Sequence, residues 1–221
     1  PPTTNKSLYL QKKDYFDDNW GSAKKQIVDC FNIYNEKEIL HLRLDYLYNV
    51  VDRFVIVESL DSHSKKIRKN NYMFEENIEI FKPYLDKIHY FKLDSLPFEG
   101  DKDRLSHTWK NERYQKNYCE QGILDLNDKD WILFSDVDEI PNKIILNYLR
   151  NNNNLDDFEL IRFNQKLFYY YVNLIQNQIW GGTVATQKEK FKSMTTLRDQ
   201  REHYWTGIEI NEAGWHYSYM G

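Results

Sequence analysis

From about residue 26 onward, apolar runs of strand length alternate with amphipathic stretches of helix length, and this alternation narrows the possible folds more than any other feature of the chain. Strands alternating with helices build βαβ units around a mostly parallel sheet. The run 26–31 reads as a strand, and 36–51 as a helix with Leu40, Leu44, Leu47 and Val51 along one face. A buried strand over 54–57 ends in Glu58-Ser59. A helix over 74–84, with Pro83 near its end, leads to a third strand over 88–91. A helix over 105–121 follows, with Gly122 placed to close it, and then a fourth strand, Trp131-Ile132-Leu133-Phe134. Beyond Asp138 the periodicity weakens. Pro141 is placed to open a helix over 142–150, where its missing N–H costs nothing. The stretch 158–163 reads as another strand, and 167–172 and 179–184 read as strands and turns. The expected architecture is one α/β domain over 26–221, preceded by a polar arm over 1–25.

Composition removes several classes of function. With 30 Lys and Arg against 34 Asp and Glu the net charge is −4, which argues against nucleic acid as a partner. A hydrophobic content of 41%, with 16% aromatic residues, is too apolar for a disordered chain. Cys30 and Cys119 form neither a CxxC pair nor a disulfide framework, which disfavours zinc and a stapled secreted fold. No apolar run approaches the roughly 20 residues of a membrane helix. The chain starts at Pro1 without Met, so an upstream anchor or signal stays open. The expected compartment is the cytoplasm of a bacterium or of a virus-infected cell, given the Lys/Asn/Ile/Tyr-rich wording.

The sharpest local feature is the fourth strand followed at once by Ser135-Asp136-Val137-Asp138-Glu139. In open α/β sheets, ligands bind outside the carboxyl ends of the strands, so acids placed there face a crevice. Three clustered carboxylates repel one another, and a divalent cation bridging to substrate phosphates relieves that repulsion. The alternative is an acidic turn that caps the next helix. Asn35, Glu36 and Glu58 follow the first two strands, where a nucleoside would lie. Helix capping is the alternative for Asn35 and Glu36, whereas Glu58 has no helix immediately after it to cap. His63, Lys65 and Lys66 either face a diphosphate or form a solvated basic loop. A Mg²⁺-dependent phosphohydrolase of the D-x-D type is a rival, but its acids follow the first strand and precede a Thr. A non-catalytic nucleotide-sugar-binding module is a second rival, which need not keep a self-repelling acid pair.

Four ordered blocks add to this reading: Ile27–Phe31 with Asn35-Glu36, Val51–Ser59, Ser135–Pro141 and Ala213-Gly214-Trp215-His216. Together they resemble glycosyltransferase family 17, best known for the β-1,4-mannosyl-glycoprotein N-acetylglucosaminyltransferases that add bisecting GlcNAc. The resemblance implies a GT-A fold, with a Rossmann-like central sheet and an irregular acceptor half. It also implies UDP-GlcNAc or a related nucleotide sugar as donor, a carbohydrate acceptor, Mn²⁺ or Mg²⁺ as the metal, and inversion at the anomeric carbon. Asp138 is the preferred direct metal ligand and Asp136 reaches the ribose or a metal-bound water, with the two roles exchangeable. His216 is similar to a late histidine that completes the metal or diphosphate site, its alternative being a histidine packed beside Trp215. Arg113, on a segment resembling a family helix, is expected near the donor phosphates. An inverting transferase needs a general base, for which Glu139, Glu209 and Glu212 are the candidates. Tyr169, Tyr170, Tyr171, Trp180 and Trp205 are either sugar platforms or core. Family members continue beyond the block that ends this chain, so part of the acceptor site is expected outside it.

Overall fold

The structure is a computed structural model that describes residues 6–8, 25–99, 104–169, 171–201 and 207–218. Its strands are β1 (Lys6–Leu8), β2 (Ile27–Ile33), β3 (Arg53–Ser59), β4 (Ile88–Leu93), β5 (Trp131–Phe134), β6 (Glu139–Pro141), β7 (Ile161–Tyr169), β8 (Tyr171–Gln187), β9 (Ile208–Ile210) and β10 (Gly214–Ser218). The helices are α1 (Lys37–Leu47), α2 (Met73–Glu76), α3 (Ile78–Phe81), α4 (Arg104–Tyr118), α5 (Lys143–Asn151) and α6 (Met194–Asp199). The strands form one sheet in the order β1-β9-β7-β8-β5-β2-β3-β4, with β10 lying against β6 and β7. The segment β5-β2-β3-β4 is parallel throughout, and β8 joins it antiparallel to β5.

The parallel strands are apolar along their length because both faces are covered. Ile27 and Phe31, Phe54 and Ile56, and Trp131 and Leu133 point into the core beneath α1 and α5. The intervening Val28 and Cys30, Val55 and Val57, and Ile132 and Phe134 point into a second core that includes Cys119, Ile123, Met194 and Leu197. This period-two division between two layers is what a buried strand dictates. No helix among the described residues is long and apolar enough to cross a membrane.

Several boundaries differ from expectation for physical reasons. The helix expected over 74–84 is broken at Asn77, whose side-chain amide donates to the Met73 carbonyl, and continues as a 3₁₀ segment, Lys82–Lys87, with Pro83 at its start. Pro141 does not open a helix but ends β6. Asn142 caps α5 instead, its side chain accepting from the Ile144 amide at 3.0 Å. Gly122 lies inside a 3₁₀ segment, Cys119–Ile123, and a Cβ there would meet Val55 at 2.6 Å. Close approach of this segment to β3, not chain reversal, is what requires the glycine. The irregular second half holds a long hairpin in which the 17-residue β8 runs antiparallel to β7 with register shifts. Of the expected arm, Lys6–Leu8 pairs in parallel with β9.

Candidate active site

The acid loop leaves the carboxyl end of β5 and is held from beneath by a buried ion pair. Arg43 of α1 and Asp29 of β2 are both fully buried, and the guanidinium meets the carboxylate through Nε at 2.9 Å and Nη2 at 2.7 Å. The remaining donors of Arg43 go to the loop: Nη1 to the carbonyls of Asp136, Val137 and Glu139 at 2.9–3.1 Å, and Nη2 to the Ser135 hydroxyl at 2.7 Å. A loop that carries so many acids needs its carbonyls satisfied, and the planar fork of an arginine does this at several points at once.

The three acids of the loop take different surroundings. Asp136 is half-exposed and accepts from Nη2 of Arg198, on α6, at 2.8 Å. Burial opposes its charge, but Arg198, Lys116 and Arg201 outweigh this and hold its carboxyl below the usual carboxylate range. Asp138 faces His216 of β10, with Oδ2 to Nε2 at 3.3 Å. Register places that histidine: β10 runs antiparallel to β6 with His216 opposite Glu139, and parallel to β7. Gly214 opens β10 at φ +149°, where a Cβ would lie 2.3 Å from the Ile140 carbonyl oxygen, so the close approach of β10 to β6 depends on glycine. Glu139 is fully buried. Its carboxylate accepts from Trp180 Nε1 at 2.7 Å, Arg201 Nη1 at 2.5 Å and the Asp136 amide at 3.0 Å.

A cleft of about 450 Å³ opens where β2, β3 and the acid loop end. Its walls include Asn32 near the end of β2, Tyr34 and Glu36 after it, Asp61 and His63 after β3, Glu112, Gln115 and Lys116 from α4, and Asp136, Asp138 and His216. The sequence did not single out Asn32, Tyr34, Asp61 or Lys116, although each ends or follows a parallel strand or lies on the helix beside one. Burial works against the charge of Asp61, but the Leu96 amide and Arg68 more than offset it and lower its pKa. His63 is tied to Gln115, Nε2 to Oε1 at 2.7 Å. Lys65 turns to the Leu96 carbonyl and Glu99, and Lys66 is exposed.

Three sequence-based site residues lie elsewhere. Glu58 does have a helix to cap, and that helix begins 15 residues later: its buried carboxylate accepts from the amides of Met73 and Phe74 at 2.6 and 3.1 Å, and from Lys69 and Tyr90. Asn35 is exposed and outside the cleft, its amide donating to Glu36, whose side chain folds back onto the turn instead of capping α1. Arg113 lies about 100° around α4 from Glu112, on the outer side, where it pairs with Asp199 at 2.9 Å. Lys116, whose Nζ pairs with Glu112, is the α4 cation that faces the cleft.

The base candidates also turn away from the cleft. Glu139 is saturated as described, Glu209 is engaged by Arg162 and Asn164, and Glu212 is exposed in a turn near Lys166. His216 packs against Trp180, ring centroids 4.6 Å apart, while Trp215 meets Tyr46. Tyr169 belongs to β7 and Tyr171 to β8, and Tyr170 and Trp205 lie outside the described residues.

Asp138 and His216 present an oxygen and an imidazole nitrogen side by side in the cleft wall, a pair that a divalent ion such as Mn²⁺ accepts. Among the described residues no three His, Cys, Asp or Glu converge, so the expected set of Asp136, Asp138 and His216 is not assembled. Asp136 is drawn off by Arg198. Two protein donors with open positions suit an ion that completes its shell with substrate phosphates and water.

The family description that matches the chain is Glycosyltransferase family 17, over residues 15–220. No curated protein matches the sequence. Among solved structures the chain is similar to the mannosyltransferase PcManGT from Pyrobaculum calidifontis in complex with GDP-Man and Mn²⁺, at 11% identity and TM-score 0.45, covering 80% of this chain and 50% of that one. It is also similar to S. aureus TarS 1-349 in complex with UDP-GlcNAc, at 13% identity and TM-score 0.43, covering 66% of this chain and 36% of that one. For a 4-diphosphocytidyl-2C-methyl-D-erythritol synthase the values are 13%, 0.43, 87% and 90%. The chain thus spans half or less of the length of the first two. Its α/β architecture is of the GT-A type, and with a match that covers nearly its whole length the chain belongs to glycosyltransferase family 17.

Proposed function

We propose that the chain is a metal-dependent inverting glycosyltransferase that moves a sugar, GlcNAc by family resemblance, from UDP to a hydroxyl of a glycan or another acceptor. The observation that carries this reading is the opening of Asp136, Asp138 and His216 on a cleft at the carboxyl ends of β2, β3 and β5, where α/β sheets bind nucleotides. The nucleoside lies over Asn32, Tyr34, Glu36, Asp61 and His63. The diphosphate then extends towards Asp138 and His216, with Lys116 and Arg198 adding positive charge beside it. Asp138 and His216 would hold Mn²⁺ or Mg²⁺, which supplies Lewis-acid stabilisation of the departing diphosphate when bound. Asp136, kept ionised by Arg198, is directed to the ribose. Because Glu139, Glu209 and Glu212 serve other partners, none of them is proposed as the base that takes the acceptor proton.

The test is a thermal-shift screen of UDP, GDP, CMP and their sugars, each with and without Mn²⁺. A ligand at 100 times its Kd stabilises the native state by about 2.7 kcal/mol. The expected outcome is a Mn²⁺-dependent shift with UDP and with one UDP-sugar, UDP-GlcNAc first. A shift confined to GDP or CMP compounds would change the donor, and no shift with any nucleotide would sink the transferase reading.

A further inference from the structure

Resting on that reading, we infer that Glu139 and Trp180 are positioning residues that set how His216 meets Asp138. Glu139 thus acts on the metal-binding end of the cleft without lining it. A histidine that binds a metal through one ring nitrogen is normally oriented by a hydrogen bond from the other to a carboxylate or carbonyl. His216 lacks that support: Nε2 faces Asp138, while Nδ1 is buried with no hydrogen-bond partner among the described residues. The orientation of its ring therefore rests on packing, and the group it packs on is Trp180, with centroids 4.6 Å apart and ring planes inclined by 38°.

The indole is itself held in place. Its Nε1 donates to Glu139 Oε1 at 2.7 Å, and the Arg201 guanidinium sits 5.3 Å from the ring centroid while also donating to the same oxygen. The second oxygen of Glu139 accepts from the Asp136 amide at 3.0 Å. One buried carboxylate thereby joins the backbone of the first acid, through an indole and an imidazole, to the side chain of the second. Glu139 opens β6 at the end of the acid loop, Trp180 belongs to β8 and His216 to β10, so the chain of contacts also locks three separate strands in register at this point. A carboxylate is the group this junction needs, because all three of its neighbours are donors and its two oxygens accept without offering a competing N–H. Glu139→Gln keeps the volume but turns an NH₂ towards one of those donors. Trp180→Phe keeps an aromatic ring against His216 but loses the N–H and part of the indole's area, whereas Trp180→Leu removes the ring face altogether.

The experiment is titration of Mn²⁺ into protein with saturating UDP, read by the electron paramagnetic resonance signal of free Mn²⁺. UDP binding without metal is measured by calorimetry on the same samples, and thermal unfolding is measured alongside. Loss of an outer-shell partner typically weakens metal binding about 10- to 100-fold. Glu139→Gln and Trp180→Leu are expected in that range and Trp180→Phe below it, with metal-free UDP binding unchanged. If Glu139→Gln does not fold, the half-buried Trp180 and its graded pair of substitutions carry the test. Purely structural residues would lower the unfolding temperature and leave the Mn²⁺ affinity of the folded protein alone. Variants that bind Mn²⁺ as tightly as a Mn²⁺-binding wild type overturn this inference by itself. A wild type that takes up no Mn²⁺ in the presence of UDP overturns the functional reading and this inference with it.

Discussion

Arg43 occupies the helix face that Leu40, Leu44 and Leu47 share, and a charge in that position persists only because Asp29 and the carbonyls of the acid loop consume its donors. Taking away one partner of such a pair leaves the other charge buried and uncompensated, which costs about 3–5 kcal/mol. Arg43→Met should therefore destabilise the protein by about that amount in urea unfolding. Asp29→Leu combined with Arg43→Met should recover most of the loss, since apolar replacement of a whole buried pair is often neutral or better. The double variant still lacks the donors that shape the loop, so its nucleotide binding should stay impaired although its stability returns. A single variant within about 1 kcal/mol of wild type would contradict the burial on which this rests. Neither residue declares itself in the sequence. The leucine spacing of α1 marks a core-facing stripe, and Arg43 reads there only as an interruption. Glu58 misleads for a related reason, because the amides it caps lie beyond a loop and are not its chain neighbours. Asp136 and Asp138, by contrast, are legible, since their spacing after a buried strand already says which end of the sheet they occupy.

At the scale of elements, legibility follows burial. The strands β2, β3 and β5 read clearly because covering on both faces leaves them uniformly apolar. The segment after residue 73 reads as one helix because its apolar spacing is helical, but Asn77 spends its side chain on a local carbonyl and Pro83 removes a donor, and the result is three short turns. The β7–β8 hairpin reads only as separate short strands and turns for a different reason: register shifts break the period-two pattern that would join them. The turn from β9 to β10 is the element whose geometry matters most to the site, because both strands lie parallel to β7 and the turn between them decides where His216 lands. Gly214→Ala tests this link. A non-glycine residue at that φ costs about 1–3 kcal/mol, and its Cβ has nowhere to go beside the Ile140 carbonyl. The expected result is a destabilisation of that size together with weaker Mn²⁺-dependent UDP binding. Stability lost with binding intact would mean that β10 absorbs the strain without moving the histidine.

Across the whole molecule, the groups that hold the fold and the groups that face the cleft are largely different, although they share one loop. Arg43, Asp29 and Glu139 are fully buried, the first two tying α1 to the sheet and the third tying the acid loop to β8, whereas Asp136 and Asp138 keep 49% and 27% of their side chains exposed at the cleft. Partly exposed carboxylates contribute little to stability, so function and stability should separate at Asp138. Asp138→Ala is expected to unfold within about 0.5 kcal/mol of wild type, the usual range for substitutions away from buried networks. The same variant should lose the Mn²⁺-dependent part of UDP binding, and with it the stabilisation of about 2.7 kcal/mol that saturating ligand confers on the native state. Its binding of UDP without metal should survive, because in the proposed reading the nucleoside lies over the residues at the ends of β2 and β3 and not over Asp138. Glycosyl transfer should fall to background, since the leaving diphosphate would depart without its main charge stabilisation. Three measurements on one variant then locate the division of labour along the cleft. Loss of metal-dependent binding and transfer alone assigns Asp138 to the diphosphate end. Loss of metal-free UDP binding too would mean that the nucleoside reaches across to the acid loop, and retained transfer would remove Asp138 from the site altogether.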